Sequence, residues 1–90
     1  MCRNIKTLFN FAPPATDAEI QAASLQFVRK LSGYNKPSKA NEVAFNHAVI
    51  QVAAVARTLL DNLQTDAAPR DRQVEAARAI ARAAERFRAT

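Results

Sequence analysis

Four cations fall within the eleven residues from Arg29 to Lys39: Arg29, Lys30, Lys36 and Lys39. They flank Gly33-Tyr34-Asn35-Lys36-Pro37-Ser38, a stretch that reads as the turn between two helices. The free N–H groups and dipole at the start of a helix attract anions. Tyr34 adds a ring on which a base could stack. Arg29, Lys30, Tyr34, Asn35, Lys36, Ser38 and Lys39 therefore form the candidate anion-binding set, suited to a phosphorylated ligand, a nucleic-acid strand or an acidic peptide. The plainer reading is a solvated turn whose lysines keep the protein soluble, with Arg29 and Lys30 complementing the C-terminal end of the preceding helix.

Cys2 is the second chemical candidate. If Met1 is removed, the chain begins with an amine beside a thiol, and nearby Arg3 and Lys6 would favour the thiolate. A thiol-dependent sensor is the function this suggests; the plainer reading is a small, inert terminal residue. His47 is the single histidine and falls on the polar side of its helix beside Asn46 and Gln51. One Cys and one His cannot make a usual structural zinc site, so no metal or cofactor is expected. No glycine-rich phosphate loop is present. Arg78, Arg82 and Arg86 recur at i, i+4, i+8 near the C-terminus, but Asp71, Glu75 and Glu85 share their face. Glu75–Arg78 and Arg82–Glu85 are spaced as i,i+3 ion pairs, so a salt-bridged solvent face is expected rather than a phosphate-tracking ridge. With no catalytic constellation, the reading leans away from an enzyme.

Three helices must position these groups. The first, residues 16–32, opens on Thr16 and Glu19, spaced as a capping box. Ile20, Ala23, Phe27, Val28 and Leu31 lie on one face, Leu25 lies off it, and Gly33 suits the left-handed stop. The second helix, residues 39–63, starts after Ser38, a good N-cap residue. Phe45, Val49, Val52, Ala56, Leu59 and Leu63 recur at a heptad-like spacing, and Ala48, Val55 and Leu60 widen the apolar arc to about 160°, broad enough for two neighbouring helices. The third helix, residues 70–88, follows Pro69 and presents Val74, Ala77, Ile80, Ala81, Ala84 and Phe87 as an alanine-rich inner face for close approach to the second. Residues 1–15 have no helical period. Their Ile5, Leu8, Phe9 and Phe11 are too apolar for a free tail, so they are expected to lie against the helices as an extended arm. The fold class is thus all-α: a three-helix bundle with a long central helix and an extended N-terminal arm, in one domain spanning residues 1–90.

Val43 and Ile50 sit on the polar side of the central helix. Scattered surface apolars explain them, or else the arm or a second subunit covers them, which makes the pair the candidate interface.

The composition agrees with this picture. The chain has 90 residues, 49% of them hydrophobic, and a single glycine. That suits helices, and so short a chain buries only a thin core. The net charge of +5 raises the prospect of polyanionic partners. One cysteine excludes an internal disulfide, Asn10 and Pro13-Pro14 break up any signal-peptide core, and no run is expected to approach the ~20 apolar residues of a membrane span. A cytoplasmic protein with no membrane partner is expected.

The opening MCRNIKTLFNF, the PPAT cap with its following acid, the stretch FVRKLSGYNKPSKANEVAF and the PRDR of the second connection together resemble a small bacterial family, domain of unknown function 2277. The resemblance spans nearly the whole chain. It implies a stand-alone bacterial protein and carries no catalytic residue, cofactor or partner. The leading expectation is a non-enzymatic interaction module, either a homodimer or bound to a protein partner. Nucleic-acid or phosphate-ligand binding through the first connection is the first alternative, and the Cys2 sensor the second.

Overall fold

The structure is a computed structural model that describes residues 5–89, with side chains for residues 5–86. Thr16 opens α1 (Asp17–Ser32) with the complete capping box: its hydroxyl accepts from the Glu19 N–H, and the Glu19 carboxylate accepts from the Thr16 N–H at 3.0 Å. Gly33 ends α1 at φ 78°, donating its N–H to the Arg29 carbonyl. A 3₁₀ turn (Lys39–Asn41) then leads into α2 (Glu42–Asn62). Ser38 precedes that turn, but its hydroxyl caps no backbone N–H and instead accepts from the Asn41 side chain at 2.8 Å. This explains why regular α-helix begins three residues after the expected start.

Along α1 the buried face is Ile20, Ser24 and Val28, with Leu25 joining the core. It packs on Phe45 and Val49 of α2, flanked by Ala48 and Val52. The expected α1 face is therefore rotated. Ser24 is tolerated inside because its hydroxyl donates to the Ile20 carbonyl at 2.7 Å. Phe27 and Leu31 turn partly or largely to solvent.

The second connection brings β2 (Arg70–Asp71) beside β1 (Phe11–Ala12) of the arm, a two-residue parallel pairing with Phe11 opposite Arg70. Asn10 makes this possible. At φ 64° its backbone enters the left-handed region, which asparagine tolerates better than most residues. Its carbonyl accepts the Arg70 N–H at 2.8 Å, and its side-chain amide donates to the Ala68 carbonyl at 3.2 Å. An all-helical expectation had no place for this bridge. It is too short to show an alternating pattern and is held by backbone groups that every residue carries.

The third helix, α3 (Arg72–Ala89), begins where Asp71 caps it by accepting the Gln73 and Val74 N–H groups at 2.8 and 3.1 Å. It does not pack on α2 as expected. Its backbone comes no more than marginally close to α1 or α2 among the described residues. Val74 is 45% exposed and Ile80 71% exposed, while Val55, Leu59 and Leu63 remain uncovered on α2. The cause is where α3 is tied. Arg72 is clamped to Glu19 and to the Pro13 carbonyl, which turns the charged face of α3, rather than its apolar one, toward the arm.

The shape is consequently open. The radius of gyration is 16.0 Å, where a compact chain of this length has about 12 Å. The segment Lys39–Asn62 is also long and apolar enough, by length and composition, to cross a membrane, contrary to the expectation that no run would be. A core helix can pass the same test, and Phe45 and Val49 of this one are buried against α1.

Candidate functional site

The first connection is closed on itself. The Arg29 Nε–H donates to the Asn35 carbonyl at 2.9 Å, which ties the turn to the end of α1. The Asn41 amide bridges Ser38 and the Tyr34 hydroxyl. Lys30, Lys36 and Lys39 stand exposed around this framework, without a carboxylate partner among the described residues. Of the candidate anion-binding set, the three lysines stand on the surface, while Arg29 through its Nε–H, Asn35 through its carbonyl and Ser38 through its hydroxyl also hold the loop together. Tyr34 is partly shielded at 40% exposure.

Cys2 lies outside the described residues. His47 is exposed, and among the described residues no three His, Cys, Asp or Glu side chains gather to hold a metal. Val43 and Ile50 are bare, at 83% and 64% exposure. The described part of the arm runs elsewhere, over Arg57, Leu60 and Asp61 near the C-terminal end of α2. There Arg57 ties the elements together, meeting Asp17 at 2.6 Å and Asp61 at 3.4 Å.

Sequence reasoning missed a different site, a cleft of about 520 Å³ between the arm and α3. Lys6 and Phe11 line it from the arm, Glu19 from α1, and Arg70, Arg72 and Arg82 from β2 and α3. The guanidinium carbons of Arg70 and Arg72 lie 5.6 and 5.7 Å from the centroid of the Phe11 ring, within reach of its negative face. Arg72 grips both Glu19 oxygens at 2.7 and 2.9 Å, a bidentate pair. That guanidinium, followed by the Thr16 N–H, holds the Glu19 carboxyl at about 2, far below its ordinary 4.5. The second acid in the wall, Glu75, pairs with Arg78 at 3.3 Å. Both carboxylates are engaged, whereas Lys6, Arg70 and Arg82 have no carboxylate partner among the described residues. The expected Arg82–Glu85 pair does not form, which leaves Arg82 directed to the cleft wall. The signal in the sequence was weak: of the i, i+4, i+8 arginine row only Arg82 lines the cleft. Its meaning depended on the arm lying opposite, which no spacing revealed.

A family model of uncharacterized conserved proteins, DUF2277, matches residues 1–78. The chain belongs to the DUF2277 family. No curated protein and no solved structure matches it. The matched span of this DUF2277 member takes in the first connection and most of the cleft, from Lys6 to Ala76, and ends inside α3 before Arg82.

Proposed function

We propose that this DUF2277 member is a non-enzymatic interaction module that works as a homodimer, in which α3 of one copy completes the three-helix packing of the other. The observation that carries this is the direction of α3. Val74, Ala77, Ile80, Ala81 and Ala84 occupy one arc of its helical wheel, opposite Arg72, Glu75, Ala79 and Arg82, and the apolar arc faces solvent. The flank of α2 with Val55 and Leu59 is equally bare and forms a shallow apolar hollow with Ala54 and Thr58. These are the two surfaces whose patterns suit each other, since the alanine-rich face of α3 allows close approach to a larger-residue seam.

The areas support a second copy. The chain exposes 7415 Å², whereas a compact monomer of its mass exposes about 5,200 Å². The excess is about 2,200 Å² per chain, and twice that lies within the roughly 2,000–5,000 Å² of obligate homodimers.

Light scattering across micromolar to millimolar protein tests this. The wild type is expected to run as a dimer, and Leu59→Asp and Ile80→Asp each as monomers. Mixing the two variants should restore a dimer, because one intact α3–α2 contact remains between them. A monomeric wild type overturns the reading, as does a mixture that stays monomeric. Sedimentation of the wild type with lipid vesicles, lost in Leu59→Asp, would assign the apolar faces to a membrane surface and overturn it too.

A further inference from the structure

We infer that the cleft between the arm and α3 binds a small phosphorylated molecule with an apolar or aromatic body. The charge balance of its walls sets the ligand's sign. Glu19 is saturated by Arg72 and Glu75 is held by Arg78, so the charges left over are the cations Lys6, Arg70 and Arg82. Three cations on one cleft favour the negative charge of a phosphate group, and arginine matches its geometry through paired N–H donors. Arg70 is already oriented over the Phe11 ring, and its backbone is fixed by the hydrogen bond to Asn10. Less side-chain freedom is lost on binding when the cation is placed in advance.

Apart from Thr7, the remaining walls are apolar. Leu8 and Phe11 contribute from the arm, and Ala76 and Ala79 from α3. A free inorganic ion would leave this surface unused, whereas a phosphate ester with an apolar or aromatic body would cover it. At about 520 Å³ the cleft lies in the range of about 300–1,000 Å³ typical of small-molecule sites. The site is separate from the lysines of the first connection. It also lies on the face of α3 opposite the apolar arc, so it does not depend on the homodimer.

Calorimetric titration of the full chain at low salt, with phenyl phosphate and with inorganic phosphate, tests the assignment. Phenyl phosphate should saturate one site per chain and bind at least about tenfold more tightly than inorganic phosphate, through the Leu8, Phe11, Ala76 and Ala79 walls. Lys6→Ala with Arg82→Ala should weaken phenyl phosphate by at least about tenfold, with unchanged circular dichroism, because neither side chain anchors α3. Lys36→Ala with Lys39→Ala should leave it unchanged, and so should the monomeric Ile80→Asp variant. The inference fails if no saturation occurs by about 10 mM phenyl phosphate. It also fails if the two phosphates bind equally, or if the Lys36/Lys39 variant loses as much affinity as the Lys6/Arg82 variant.

Discussion

Glu19 does two jobs with one carboxylate. It completes the capping box of α1 and it receives the bidentate grip of Arg72 that anchors α3. Its folded-state pKa of about 2 lies below the ordinary 4.5, so its contribution is fully present above pH 4.5 and is lost as pH falls toward 2. Acidification through that window should release the first turn of α3 from α1. The NMR signal of the Arg72 Nε–H, which donates to the Pro13 carbonyl, is the reporter. A transition centred near 4.5 would mean that the Arg72–Glu19 pair does not form in solution. Asn10 is the matching lock on the arm, and Asn10→Val tests it. The branched side chain disfavours φ 64° and removes the amide donor to residues 67 and 68. A cost of about 2 kcal/mol to arm docking follows, read as roughly thirtyfold faster hydrogen exchange at the Arg70 amide. Unchanged exchange there would show that the bridge is not the lock.

The only packed unit among the described elements is the α1–α2 hairpin, and its core is thin. Ile20, Val28, Phe45 and Val49 are its buried apolar side chains. Phe45→Ala should therefore cost about 3–5 kcal/mol, which for so small a core means loss of the cooperative thermal transition. Calorimetry showing a retained transition within a few degrees of wild type would mean that stability resides outside this core. The rotation of α1 has a physical reason at this scale. Ser24 can enter the core because it satisfies its hydroxyl on its own helix, and this frees Leu25 and Val28 to meet Phe45 and Val49. Phe27 and Leu31 remain as apolar surface at the end of α1 near the first connection.

For the whole molecule, the open shape is the property with consequences. The radius of gyration is 16.0 Å, and apolar faces are bare on both α2 and α3. If the proposed homodimer forms, the Leu59→Asp and Ile80→Asp variants should isolate its monomer, and small-angle scattering should then return a radius close to 16 Å for each. A value near the roughly 12 Å of a compact chain would show that α3 folds back on α2 within one copy. The cleft should persist in either variant, since its walls are joined by the Asn10 bridge and the Arg72 clamp and not by the apolar faces.

Local chemistry was legible in the amino-acid sequence. The capping box at Thr16, the glycine stop at Gly33 and the three helical segments follow from interactions within one or two turns, which spacing reports directly, whereas the buried face of α1 came out rotated from the one its spacing indicated. The partner of each face was not legible, because periodicity says that a face is apolar and not what meets it. Only the tertiary structure decided that Ser24 enters the core and that Asn10 joins the arm to β2. The Arg72 clamp on Glu19 lies equally beyond sequence spacing, since its partners are 53 residues apart. With α3 held in that direction, Arg82, expected in an ion pair on a solvent face, lines a basic cleft with Arg70 and Arg72.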